Sequence, residues 1–121
     1  MDVNTYRDLF TSVKKKYKEL RGIINMDTLN TELSRLKLFT VDANFWDDTA
    51  TAQKTLKKIS KIENEIKMWY ELDRHYDDSD FYMDMINDGE KVDSDSTTTL
   101  DAFSKVVEKI ELLNLLSEED D

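Results

Sequence analysis

The chain has 121 residues and a formal net charge of −10, from 27 acidic and 17 basic side chains. With two Gly, no Pro and no Cys, it lacks the turn punctuation of a β-rich fold, and it excludes a disulfide framework, a thiolate nucleophile and a Cys-based zinc site. Its acidic balance disfavours sequence-specific nucleic-acid binding by the domain as a whole, because phosphates repel such a surface.

A chain of this length reads as one domain, residues 1–121. The N-terminal MDVNTYRDLF has neither a basic n-region nor an apolar h-region, and apolar runs stop at two or three residues. The expectation is a soluble cytoplasmic protein without a membrane partner.

Val3, Tyr6, Phe10, Val13, Tyr17 and Leu20 recur every three or four residues, which predicts a first helix over 3–20. Gly22 then permits a left-handed or otherwise helix-ending backbone. A shorter helix follows, with Asp27 as its candidate N-cap and Leu29, Leu33 and Leu36 on its apolar side.

The junction DANFWDD, residues 42–48, places the chain's bulkiest adjacent pair, Phe45 and Trp46, between acidic residues. Asp48 is positioned to cap the next helix, and Asp47 adds negative charge near that helix's positive end. The aromatics are expected to plug the mouth of the bundle, packing on Leu36 or Leu38 and near Leu56. The competing reading makes Trp46 an exposed anchor for a partner.

Ala52, Leu56, Ile59, Ile62, Ile66, Trp69, Leu72 and Tyr76 continue at helical spacing, predicting a long helix over 49–76. Asp77, Asp78 and Asp80 mark a break, and a short helix through Phe81, Met85 and Ile86 follows. Asp88–Thr99 reads as a linker. Leu100, Phe103, Val107, Ile110 and Leu113 predict a last helix over 100–117, before the acidic tail Glu118–Asp121. The fold class is therefore all-α: an elongated antiparallel bundle of three longer helices plus one or two short ones.

Chemistry-bearing patterns are few. His75 is the only histidine, and no oriented partner accompanies it in the sequence. Asp84 and Gly89 match the first and sixth positions of a calcium loop, but Ile86 at position three offers no ligand oxygen. Asp95 at position twelve is too short for the closing Glu. Turn and linker is the reading. No Gly-rich phosphate loop is present. No catalytic, metal-binding or cofactor-binding residue is assigned, and no cofactor is expected. The cluster Lys14, Lys15, Lys16, Lys18 and Arg21 is the one patch that could meet RNA phosphates, and it reads as a solvated helix face.

The residues Leu20-Arg21-Gly22, Asp42, Asn44-Phe45-Trp46-Asp47-Asp48 and Ala52-Gln53-Lys54 stand in the order and register of a known family. The segment 20–66 resembles the N-terminal helical domain of bacterial peptide chain release factor 2, and Leu115-Leu116-Ser117 resembles the way out of that domain. The family's Gly-Gly-Gln loop and Ser-Pro-Phe-type tripeptide lie in later domains. With no Pro and no adjacent glycines, this sequence contains neither. The resemblance implies a non-catalytic module of a translation termination factor that helps to hold the factor on the ribosome. It would lie near the stalk-base proteins and the GTPase-associated region, where a release-factor GTPase can meet it. The alternative is a free-standing helical adaptor that binds a protein partner.

Overall fold

The computed structural model describes the backbone of residues 1–119 and the side chains of residues 1–114. These residues form four α-helices and no strand: α1 Val3–Ile23, α2 Met26–Thr40, α3 Thr49–Asn87 and α4 Ser94–Glu119. A single turn of 3-10 helix, Phe45–Asp47, lies between α2 and α3. The chain is thus the all-α helical bundle that its apolar spacing predicts, and it forms two compact units. One holds residues Met1–Ile23 and the chain from Glu71 onward; the other holds Ile24–Tyr70.

In the first unit, the predicted stripe of α1 is the buried one: Tyr6, Phe10, Val13, Tyr17 and Leu20. Leu72, Ser79, Met83 and Ile86 of α3 and Leu100, Phe103, Val107 and Ile110 of α4 are buried in the same unit. Burying such side chains stabilises by roughly 1.5–3 kcal/mol each, before chain entropy is set against it. Tyr17 stacks on Tyr76 at 4.5 Å and meets the edge of Phe103 at 5.8 Å.

The polar contacts give the directions of the helices. Tyr6 donates its hydroxyl to the Ser96 carbonyl (3.2 Å), and Lys16 pairs with Glu111 at 3.8 Å, so α1 and α4 run side by side in parallel. Arg7 donates to Asn87 (3.1 Å), and Tyr17 donates to Asp73 (2.7 Å), so this part of α3 runs antiparallel to α1. Arg21 grips the Asp73 carboxylate through two nitrogens, at 2.9 and 3.2 Å. Burial, reinforced by the nearby carboxylate in the case of Tyr17, pushes the phenols of Tyr6 and Tyr17 up to about 12.

In the second unit, Leu36 is the buried residue of α2, while Leu29 and Leu33 are half-buried. Along α3, Ala52, Ile59 and Ile66 are buried at seven-residue intervals, and Trp69 follows. Leu56, placed in the core by its spacing, is 37% exposed. Lys37 and Glu63 form an exposed ion pair at 3.8 Å, a contact worth little in water.

Several boundaries differ from the sequence reading. Asn25, not Asp27, caps α2 by accepting from the Thr28 N–H at 3.0 Å. Gly22 does not end α1 with a left-handed residue: it is helical, α1 continues to Ile23, and Gly89 is the only described residue with positive φ. Asp77, Asp78 and Asp80 do not break α3, which runs unbroken to Asn87. There it ends in a Schellman motif: Gly89 (φ +106°) donates to the Ile86 carbonyl and Glu90 to that of Met85. Asp84 therefore lies inside a helix, not at the head of a calcium loop.

The expected linker 88–99 shrinks, because α4 starts at Ser94. Asp93 caps it by accepting from Ser96 N–H at 2.8 Å, while the Ser96 hydroxyl accepts from Asp93 N–H at 3.0 Å. This reciprocal pair is a capping box in form, and its hydrogen bonds hold the Asp93 carboxyl below the usual carboxylate range. The side chains of Leu115-Leu116-Ser117 and of the tail from Glu118, and residues 120–121 altogether, lie outside the described residues.

Candidate interaction surface

The basic cluster of α1 is largely absorbed by the protein itself. Lys16 pairs with Glu111 and Arg21 with Asp73. Lys14 and Lys18 lie over the Tyr76 ring at 5.9 and 5.8 Å, where a cation meets the negative face of the aromatic. The groove beside them, about 810 Å³, has four cations (Arg7, Lys14, Lys15, Lys18) facing three carboxylates (Glu19, Asp80, Asp84). That mixture selects neither an anion nor a cation. Half-buried His75 sits on α3. No group of three or more metal-ligating side chains is assembled among the described residues, nor does any helix there have the length and apolarity to cross a membrane.

The junction between α2 and α3 is different. Leu36 takes the buried position of α2; Leu38, two residues on, is turned off that line, and Phe39, three residues on, lies at its edge. They are 71% and 50% exposed, and Val41 is 79% exposed. The chain then tightens into consecutive turns. Asp42 N–H donates to the Phe39 carbonyl, Phe45 N–H to that of Asp42, and Asp47 N–H to that of Asn44. The Asp42 carboxylate also accepts from Asn44 N–H at 2.8 Å. With its backbone groups satisfied locally, the turn needs no buried aromatic to hold its shape.

Trp46 accordingly lies outside the core. It is 60% exposed and touches half-buried Phe45 edge to face, with ring centroids 5.1 Å apart. The expected plug does not form: Leu38 is itself exposed, Trp46 faces water, and Phe45 turns toward α3. Asp48 occupies the N-cap of α3, accepting from Thr51 N–H at 3.2 Å and from the Thr51 hydroxyl at 2.8 Å. These bonds stabilise the charged form and lower the Asp48 carboxyl below its ordinary value. Asp47 is exposed within the 3-10 turn. Gly22 belongs to the other compact unit.

Phe39, Asp42, Asn44, Phe45, Asp48 and Thr51 line most of an open cavity of about 340 Å³, floored by Ala52 and Thr55. Two aromatic rings and two carboxylates meet there, with no cation in the wall. Arg35 covers the Phe39 ring at 5.6 Å, and its own charge is taken up by Glu32 through bonds of 2.6 and 2.9 Å. Sequence reading located this junction through Asp42, Phe45 and Trp46 and placed Leu38 in the packing, where it is exposed; it missed Phe39 and Val41. For Leu38 the available signal was its two-residue offset from Leu36, which takes it off the Leu29-Leu33-Leu36 line.

The same junction lies within the region that is shared with known proteins. The chain is similar to release factor 2. It is 27% identical to peptide chain release factor 2 of Petrotoga mobilis over 113 residues, covering 90% of this chain and 30% of that protein. It is 25% identical to release factor 2 of Arthrobacter sp. over 112 residues, 91% of this chain and 30% of that protein. Against the chloroplastic release factor PrfB1 of Arabidopsis thaliana the identity is 23% over 120 residues, 96% of this chain and 26% of that protein. The chain thus spans less than a third of the length of these curated relatives. No protein-family model matches it, and no solved structure does.

Proposed function

We propose that the chain is a non-catalytic module of a translation termination factor, equivalent to the N-terminal domain of release factor 2. Its role is to help position the factor on the ribosome, near the stalk base and the GTPase-associated region, in the cytoplasm. One observation carries this reading: similarity to release factors runs through 90% or more of this chain while taking up less than a third of each relative. That is the pattern of a shared module. Both compact units belong to it, because the similarity extends across the boundaries between them.

The chain's own residues add two supports. It holds no Pro and no adjacent glycines, so the loops on which the resemblance places codon reading and peptide release are not in it. Its charge of −10 suits approach to basic ribosomal proteins, since complementary charge speeds encounter and fixes orientation. The test is a chimera in which this chain replaces the matching segment of a release factor 2. Such a chimera is expected to release peptide at lower factor concentration than the same factor with the segment deleted. A chimera no better than the deletion would contradict the reading.

A second reading is favoured by the exposed Leu38, Val41 and Trp46: a free-standing helical adaptor for a protein partner. It predicts a chimera equal to the deletion and a protein partner outside the ribosome.

A further inference from the structure

The candidate surfaces differ in how sharply they define an occupant. The α1–α3 groove carries both charge signs. The junction cavity carries one sign only, together with exposed apolar residues. Four of the chain's exposed large hydrophobics, Leu38, Phe39, Val41 and Trp46, fall within residues 38–46. Exposed apolar residues concentrated in one short segment mark interaction sites, and Trp is enriched among the residues that dominate binding energies.

We propose that the junction cavity receives an arginine side chain from a basic, apolar segment of a protein partner, with Leu38, Val41 and Trp46 as the apolar collar. This rests on the proposed function, whose ribosome-bound module needs a docking face, and it names that face and the chemistry it selects. The cavity wall supplies both things a guanidinium requires. Phe39 and Phe45 are the aromatic residues of the wall, and a flat guanidinium stacks on aromatic rings better than a hydrated ammonium does. Asp42 and Asp48 supply the counter-charge, and they are the only charged residues in the wall.

The carboxylate oxygens are only partly used. Asp42 accepts one backbone N–H, and each oxygen of a carboxylate has two acceptor sites. Asp48 answers the free N–H of the first turn of α3, so the positive helix end there is already offset and does not repel a cation. The molecule also carries a precedent: Arg35 lies over Phe39, matched by Glu32. A nucleic-acid backbone is disfavoured at the same place, because Asp42, Asp47 and Asp48 would face its phosphates.

The test uses the whole chain and a synthetic peptide of alternating Arg and Leu as probe. A peptide with Glu in place of Arg, one with Ser in place of Leu, and a single-stranded RNA serve as comparators. In amide NMR titrations, the Arg-Leu peptide is expected to shift resonances at 39–52, and each comparator to bind more weakly. Trp46→Ala should weaken peptide binding about tenfold. Asp42→Asn should weaken it severalfold, and Glu71→Gln, an equal charge change at a residue that does not line the cavity, should leave it nearly unchanged. Val41→Ser, at a highly exposed position, tests the collar without risk to the core.

Equal affinities for Asp42→Asn and Glu71→Gln, shifts mapping outside the junction, or RNA shifting the same resonances would each overturn the proposal. Sedimentation with ribosomes separates the two claims. If the wild-type chain and Trp46→Ala pellet equally well, the docking face is wrong and the ribosomal role stands. If the peptide binds at the junction but the chain does not pellet, the face stands and the ribosomal role fails.

Discussion

The two tryptophans offer the same substitution in opposite surroundings. Trp69 is 4% exposed and Trp46 is 60% exposed. A large aromatic buries roughly 150–250 Å², which at about 25 cal/mol/Å² gives on the order of 5 kcal/mol for Trp69. Truncations of this kind cost about 3–5 kcal/mol, because the cavity left behind collapses only in part. For Trp46 less than half of that area is covered, setting an upper figure of about 2 kcal/mol. Much of the cover is the ring of adjacent Phe45, which is a neighbour in the unfolded chain too, so about 1 kcal/mol is the expected loss. At roughly 4 °C per kcal/mol for a chain of this size, Trp69→Ala should lower the melting temperature by about 12–20 °C and Trp46→Ala by about 4 °C. Thermal unfolding followed by circular dichroism reads both. A loss for Trp46→Ala equal to or larger than that for Trp69→Ala would refute the exposed junction and restore the plug.

The glycines should respond in opposite directions to alanine. Gly89→Ala, at φ +106°, should destabilise by about 1 kcal/mol, whereas Gly22→Ala, in a helical turn with nothing within 4 Å of its new Cβ, should stabilise by up to about 1 kcal/mol; urea midpoints at constant slope decide both. Alkaline stability should follow Tyr6 and Tyr17. Folding raises both phenols from 10.0 to about 12, so their contribution is complete below pH 10 and is lost as pH rises through about 12. Spectrophotometric titration should show a late phase of tyrosine ionisation that coincides with unfolding and that Tyr6→Phe and Tyr17→Phe each reduce; a late phase unchanged in both variants would contradict the buried pair.

How legible the structure was depended on where polar residues enter the buried lines. The α1 stripe was read correctly because every buried position is apolar. The break read at Asp77, Asp78 and Asp80 falls around Ser79, which is fully buried in line with Leu72, Tyr76, Met83 and Ile86 and donates to the Thr99 carbonyl at 3.4 Å. A polar residue at a core position looks like an interruption. The aspartates around it cost a helix only about 0.7 kcal/mol each, too little to break a packed one. Ser96 hid the start of α4 in the same way, being 1% exposed within a run of Ser, Asp and Thr. In its case the spacing of Asp93 and Ser96 was the available signal, since it is that of a reciprocal cap.

The junction shows the opposite failure. Asp48 was placed correctly at a helix start, and Phe45 is half-buried beside the first turns of α3, but the environment expected for Trp46 was inverted. Hydrophobicity predicts burial only when partners are available, and the turns of 39–48 satisfy their own backbone groups without recruiting any. Which side of a short turn faces water is set by helix crossings that no local pattern encodes. The aromatic pair at a junction, odd for an acidic chain, makes sense as a surface feature.

The most direct test of the whole account places a photo-reactive phenylalanine analogue at position 46 and irradiates the chain on ribosomes. The account predicts a cross-link to a basic protein of the large subunit, reduced severalfold in yield when Asp42→Asn is added. A cross-link to ribosomal RNA, or none from position 46 while the same probe at Lys15 reacts, would contradict it.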